Sequence, residues 1–282
     1  MANSDEYILK VMCGNRAGIV AAVSGAIASN GGDILESAQF DDAETQRFVM
    51  RLHFRAPDAQ AIANGLDAVS DELDLTYELI PAERRQRVLI MVSKFDHCLH
   101  DLLYRWRNNS LEMDIAGVVS NHETVRELVE FYGLPFHHMP VNADSKQEQE
   151  AKLLALIERE RVDLVVLARY MQILSDDLAS RLYGKVINIH HSFLPSFKGA
   201  KPYHKAHARG VKLIGATAHY VTPELDEGPI VEQDVARVKH SLSPEDYVRI
   251  GQEIESRVLA RAIRWHLAHR VFLNGPKTIV FA

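Results

Sequence analysis

Apolar positions in the first ~80 residues switch between two periods, one near two residues and one near 3.6. Residues 7–12, 34–40, 45–54 and 75–79 predict strands, and residues 19–28 and 58–73 predict helices. The resulting order, βαββαβ, predicts a ferredoxin-like first domain over residues 1–83. From residue 84 onward the pattern changes. Apolar runs at 88–92, 114–119, 136–139, 164–168 and 186–190 predict strands separated by helices, followed by strands at 213–220 and 230–238 and a long helix at 245–272. Strands alternating with helices imply a mostly parallel sheet wrapped on both faces, so residues 84–282 are expected to form an α/β, Rossmann-type domain. Ligands in such folds gather at the carboxyl ends of the strands. Between the domains, Pro81-Ala82-Glu83-Arg84-Arg85-Gln86-Arg87 reads as a solvated linker, with the break near Glu83.

The run Lys185-Val186-Ile187-Asn188-Ile189-His190 reads as one of those buried strands. Alternation puts Asn188 and His190 on one face and Ile187, Ile189 and His191 on the other. Further on, Leu225-Asp226-Glu227-Gly228-Pro229 is a turn that carries a carboxylate. Taken singly, these are a strand-end amide, a core histidine and a turn aspartate. Together they make a carbonyl-chemistry set: an amide can donate to a developing oxyanion, a His can shuttle a proton, and an Asp can orient and charge that His. No residue in this set is a covalent nucleophile. A metal is not expected, since adjacent strand histidines do not chelate one ion readily and His204 and His207, three apart on a probable helix, lack a third ligand.

Composition narrows the partners. The chain has 282 residues, 47% hydrophobic and 25% charged, which suits two globular domains, and its net charge of −6 offers no footprint for nucleic acid or an anionic membrane. Cys13 and Cys98 stand far apart without a CxxC, which fits a reducing cytoplasm rather than a disulfide framework. The polar start, Met1-Ala2-Asn3-Ser4-Asp5-Glu6, is unlike a signal peptide, and no apolar run approaches the roughly 18 residues of a membrane span.

Asn188-Ile189-His190, with Ser192, Leu194 and Pro195 after it, then Gly215-Ala216-Thr217-Ala218-His219-Tyr220-Val221, then Leu225-Asp226-Glu227-Gly228-Pro229-Ile230 at a spacing of 226 − 188 = 38, resembles the folate-dependent formyltransferase fold. The doubled histidine, His190-His191, and the added N-terminal segment most closely resemble the formyltetrahydrofolate deformylases. That resemblance runs over essentially the whole chain. It implies hydrolysis of 10-formyltetrahydrofolate to tetrahydrofolate and formate, balancing one-carbon pools for purine synthesis, with Asn188, His190 and Asp226 catalytic, no cofactor, and the folate as substrate. It also implies that Leu167, Met171, Ile173, Leu174, Glu224 and Leu225 line a pterin pocket. His219, on a predicted strand beside the set, either adds a further hydrogen bond or packs near the site as a strand histidine. Packing of Ile173 and Leu174 in the core accounts for their segment equally well. Many family members carry Arg where Gln172 stands.

Asn15-Arg16-Ala17-Gly18, with Gly31-Gly32 before the next strand, resembles an ACT domain, a small-molecule-sensing module. Its loop departs from the commoner Asp-Arg-Pro-Gly form at Asn15 and Ala17. The resemblance implies an amino-acid effector near Asn15, Arg16 and Gly18 and a homo-oligomer. The plainer reading is that these glycines only allow the strand-to-helix and helix-to-strand turns.

One segment separates hydrolysis from transfer. Transformylases of this kind carry a glycine-rich turn after the first strand of the domain, whose backbone N–H groups receive a phosphate. Here the segment is Ser93-Lys94-Phe95-Asp96-His97-Cys98-Leu99, with no glycine, two bulky rings and an anionic side chain. Water is then the expected acceptor. An amine formyltransferase and a non-catalytic folate or amino-acid sensor remain the rival classes; formate release without an acceptor discriminates the first, and the presence of Asn188, His190 and Asp226 argues against the second.

Overall fold

A computed structural model describes residues 5–142, 145–195 and 202–282. Met1 to Ser4, the polar start noted above, lie outside the described residues. The chain divides into two compact units. One comprises residues 1–84 with 269–274 and 279–282, and the other comprises residues 85–268 with 275–278.

The first unit contains β1 (Asp5–Gly14), α1 (Ile19–Ser29), β2 (Asp33–Asp42), β3 (Arg47–Ala56), α2 (Ala59–Leu73) and β4 (Thr76–Pro81). Its strands form an antiparallel sheet in the order β2-β3-β1-β4. One face of that sheet, with Leu9, Val11, Met50, Leu52 and Phe54, packs with Val23 and Ile27 of α1 and Ile62 and Leu66 of α2 in a single core. Each such fully buried aliphatic side chain is worth about 1.5–3 kcal/mol. Asp58 caps α2 by accepting from the backbone N–H groups of Gln60 and Ala61.

The second unit is built on a seven-stranded sheet, ordered β11-β10-β9-β8-β5-β6-β7. Its parallel part comprises β5 (Gln86–Val92), β6 (Met113–Ser120), β7 (Phe136–His138), β8 (Leu164–Leu167) and β9 (Val186–His190). β10 (Leu213–Tyr220) and β11 (Ile230–Arg237) continue the sheet antiparallel. Buried Leu89, Met91, Val165, Leu167 and Val186 give these strands the near-continuous apolar character of a sheet covered on both faces. Helices α3 (His97–Arg107), α4 (Arg126–Phe131), α5 (Lys146–Arg159), α6 (Asp176–Arg181), α7 (Pro202–Arg209) and α8 (Pro244–Leu267) provide the cover. No helix is long and apolar enough to cross a membrane among the described residues.

Two expectations are corrected. The long helix does not run to residue 272: a capping box of Ser243 and Asp246 starts α8, and it stops at Leu267, with His269 left-handed at φ 55. Val271 and Phe272 then open a hairpin of β12 (Val271–Asn274) and β13 (Lys277–Val280), turned at Gly275-Pro276. A β-branched and an aromatic residue followed by Asn-Gly is hairpin chemistry that the preceding apolar period obscured. Nor is the charge run 81–87 solvated throughout. Gln86 is buried, and Arg87 donates from Nε to the Glu160 carbonyl and pairs with the Glu160 carboxylate at 3.2 Å.

Candidate active site

The site is assembled where the parallel part of the sheet meets its antiparallel extension. β9 is only five residues long, and its antiparallel register against β10 sets Asn188 opposite His219 and His190 opposite Thr217. Thr217, fully buried, donates to the Ser192 carbonyl and accepts from Leu194 N–H, both at 3.0 Å, so one hydroxyl ties down the chain that leaves His190.

His219 decides how Asn188 presents its amide. His219 Nδ1 lies 2.9 Å from the Tyr220 carbonyl oxygen, which can only accept, so Nδ1 carries the proton and Nε2 the lone pair. Asn188 Nδ2 lies 3.2 Å from that Nε2 and must donate to it. One amide hydrogen is thereby fixed and the other is left for the cavity that Asn188 lines. Burial, helped by the nearby His190, holds the His219 pKa below the ordinary imidazole value, which keeps this arrangement at neutral pH.

Asp226 arrives from the loop between β10 and β11. Its backbone is left-handed at φ 59, a conformation Asp tolerates better than most residues. Two residues on, Gly228 packs so close to β10 that a Cβ there would overlap the Tyr220 carbonyl oxygen, and Tyr220 N–H donates to the Pro229 carbonyl at 2.9 Å. The loop is thus clamped to the strand, and Asp226 Oδ1 reaches 3.2 Å from His190 Nδ1 and 3.9 Å from His219 Nε2. The hydrogen bond from His190 and the imidazole charges around it hold the Asp226 carboxyl below the ordinary carboxylate range, against the opposing effect of burial. Asp226 is therefore an acceptor, and His190 Nδ1 carries its proton toward it. His190 Nε2, buried, has no hydrogen-bond partner among the described residues. A ring whose one nitrogen is anchored by a carboxylate while the other is uncommitted is the arrangement of a general acid–base.

Asn188, His190 and Asp226 line one cavity of about 310 Å³. The other residues singled out from the sequence line it too: Leu167 and Leu174 are its buried apolar wall, Met171, Ile173 and Leu225 are exposed at its rim, and Glu224 and His219 complete it. Gln172 borders both this cavity and a smaller neighbour. The expectation that His191 points away is corrected. β9 ends at His190, alternation stops with it, and the His191 ring stacks on His190 at 5.1 Å and lines the same cavity. Burial, then the charges of Arg169 and His190, pull its pKa down to about 4. Arg169, within the same 167–174 segment, lines the cavity as well, left-handed at φ 64 just after β8.

Elsewhere, Asn15 is exposed and donates to Asp41 at 2.6 Å, Arg16 is exposed, and Gly18 precedes α1 at φ 97. His207 Nε2 donates to the Leu242 carbonyl at 3.1 Å.

A doubly wound sheet with an amide, an imidazole and a carboxylate at its strand ends, and no nucleophilic Ser or Cys among them, defines an enzyme of carbonyl chemistry. Comparison with known proteins narrows the class. The formyl transferase family model matches residues 86–263. The chain is 49% identical to the formyltetrahydrofolate deformylases of Corynebacterium sp. (strain P-1) and Bacillus subtilis (strain 168), over 99% of its own length in each case and over 99% and 95% of theirs. It superposes on the crystal structure of formyltetrahydrofolate deformylase from Burkholderia mallei ATCC 23344 with a TM-score of 0.95 at 48% identity, covering 99% of this chain and 100% of that one. The chain belongs to the formyl transferase family, in its formyltetrahydrofolate deformylase branch.

Proposed function

We propose that the chain hydrolyses 10-formyltetrahydrofolate to tetrahydrofolate and formate, with Asn188, His190 and Asp226 as the catalytic groups. Water attacks the N10-formyl carbon. The free amide hydrogen of Asn188 donates to the carbonyl oxygen as it becomes an oxyanion. His190 Nε2 takes a proton from the attacking water and delivers one to N10 as the C–N10 bond breaks. Asp226 fixes the tautomer and supports the imidazolium that forms in between. The protein's own groups and water suffice for each step, so no cofactor is invoked. The observation that carries the reading is the pairing of His190 Nδ1 with Asp226 at 3.2 Å while Nε2 is uncommitted and shares a cavity with Asn188.

The apolar wall of Leu167 and Leu174 and the rim of Met171, Ile173 and Leu225 suit a flat heteroaromatic ring, which needs apolar contact and a few hydrogen bonds. The product pair balances one-carbon pools and supplies formate for purine synthesis. Residues 1–83 serve in this reading as a ferredoxin-like ACT domain, joined to a catalytic domain of residues 84–282. Support comes from the βαββαβ order and the 2-3-1-4 antiparallel sheet. Its roles would be oligomer assembly and amino-acid sensing near Asn15, Arg16 and Gly18. Two free, buried cysteines suit a cytoplasmic enzyme. Incubation with 10-formyltetrahydrofolate and no amine tests the reaction: formate and tetrahydrofolate appear in equal amounts, and a strict need for an amine acceptor would refute it.

A further inference from the structure

Beyond His191 lies a second set of buried polar groups that the proposed chemistry does not use. Glu255 of α8 is 1% exposed. Its Oε2 lies 2.9 Å from His97 Nε2 and 3.3 Å from Arg169 Nε, and its Oε1 accepts from the Tyr203 hydroxyl at 2.7 Å. Burial alone would push this carboxyl up. The His97 hydrogen bond and the Arg169 charge outweigh it and keep Glu255 ionised. The four groups come from the start of α3, the end of β8, α7 and α8, so the contact is made by the tertiary fold alone.

The cluster is built at a cost to its helix. Gly251 stands one turn before Glu255, and a Cβ there would overlap the Tyr203 ring. A glycine inside a helix costs about 1 kcal/mol relative to Ala; here it lets the ring lie flat on α8 with its hydroxyl one turn further on. His97, Cys98 and Glu255 bring potential ligand atoms within 4.8 Å of one another, but the carboxylate is already compensated by Arg169 and His97, and burial pushes the Cys98 thiol well above its ordinary value. That charge pattern is a closed ionic cluster rather than a cation site.

Its cavity side is what matters. Arg169 lines the cavity with His191, and its guanidinium sits 5.4 Å over the Phe95 ring. Arg169 also holds the segment after β5 from its backbone, since its carbonyl accepts from Ser93 N–H at 3.2 Å. His191 in turn lies between the catalytic His190, at 5.1 Å, and Tyr203, at 6.4 Å between ring centres. Asn188, His190 and Asp226 would serve hydrolysis and amine formylation alike. In transfer, an amine nitrogen attacks the formyl carbon, the C–N10 bond breaks, and the amine's proton passes through His190 to N10. The choice of nucleophile must therefore be made by what surrounds the formyl carbon.

We propose that Arg169, held by the Glu255–His97 pair and set over Phe95, is the wall of the cavity that confines the nucleophile to water, making this cluster the determinant of hydrolysis over transfer to an amine. The inference rests on the hydrolase reading above. Its test supplies the full-length enzyme with 10-formyltetrahydrofolate and glycinamide, and measures N-formylglycinamide against formate by mass spectrometry. The parent should give formate with only a trace of N-formylglycinamide, which sets the baseline ratio. The double variant Phe95→Gly/His97→Ala should raise the ratio of formylated amine to formate by at least about tenfold, and Glu255→Gln, which keeps the volume but loosens the hold on Arg169, by about threefold. General loss of structure lowers both products together and leaves their ratio unmoved. An unchanged ratio in a folded variant that still releases formate overturns the wall while leaving the hydrolase reading intact; should the double variant not fold, Glu255→Gln decides by the same criterion. A parent that releases no formate overturns the hydrolase reading instead.

Discussion

Two carboxylate–imidazole pairs of the second unit are built in contrasting ways. Asp226 and His190 are joined at 3.2 Å, with the acid on a loop and the imidazole's second nitrogen uncommitted. Glu255 and His97 are joined at 2.9 Å, with the acid on a helix, fully buried, and saturated by a phenol and a guanidinium as well. In the proposed mechanism the first pair is a proton relay, while in the second the same two side-chain types make a brace. What separates them is the pair itself: the relay's imidazole keeps Nε2 uncommitted, whereas both carboxylate oxygens of the second pair are engaged.

The largest effect that tests the contrast is on stability. Glu255→Ala leaves the Arg169 cation buried without its partner, and breaking a buried pair in this way costs about 3–5 kcal/mol. Thermal unfolding should record a matching drop, and an unchanged melting temperature would show that Glu255 braces nothing. Substitution in the other pair should cost rate instead. Asn188→Ala, His190→Ala and Asp226→Ala each remove about 3 kcal/mol of transition-state stabilisation, a fall of ~10²-fold in kcat with the fold retained. Formate release by Asp226→Ala at the parental rate would dissolve the relay.

His219→Ala should be milder. It frees the Asn188 amide to rotate without touching the formyl group, so kcat should fall about tenfold, the worth of one hydrogen bond, while KM stays nearly constant. A rise in KM with unchanged kcat would make His219 a binding residue instead. A separate effect is on the pH dependence of stability. His191 has a folded pKa of about 4, depressed from its unfolded value near 6.5. The unfolded chain thus binds the proton first, and stability, complete above about 6.5, is lost as pH falls toward 4 at about 1.4 kcal/mol per unit. Melting curves of His191→Asn between pH 7 and pH 5 should slope less than the parent's, and identical slopes would assign the acid sensitivity elsewhere.

Asn188 and His190 were legible because period-two alternation in a short strand is a local rule, and Asp226 because its turn residues mark the loop. His219 was visible only as a strand histidine. Its work on Asn188 depends on an antiparallel register linking positions 31 apart, which no local pattern encodes. The brace was harder still to read. His97 and Glu255 stand 158 residues apart and meet only because α3 and α8 pack together. Alternation does not extend to His191, because β9 ends at His190. The terminal hairpin is masked in the sequence because the apolar period of α8 continues into Val271 and Phe272, ahead of the Asn274-Gly275 signal.

Gly228 contributes no functional group, yet the reach of the acid is set there. With no room for even a methyl group against the Tyr220 carbonyl, the loop's height above the sheet is fixed by hydrogen atoms, and a bulkier residue would lift Asp226 off its histidine. New acceptors could be evolved on this scaffold by recarving the far side of the cavity, but the perch of the aspartate admits no such tinkering.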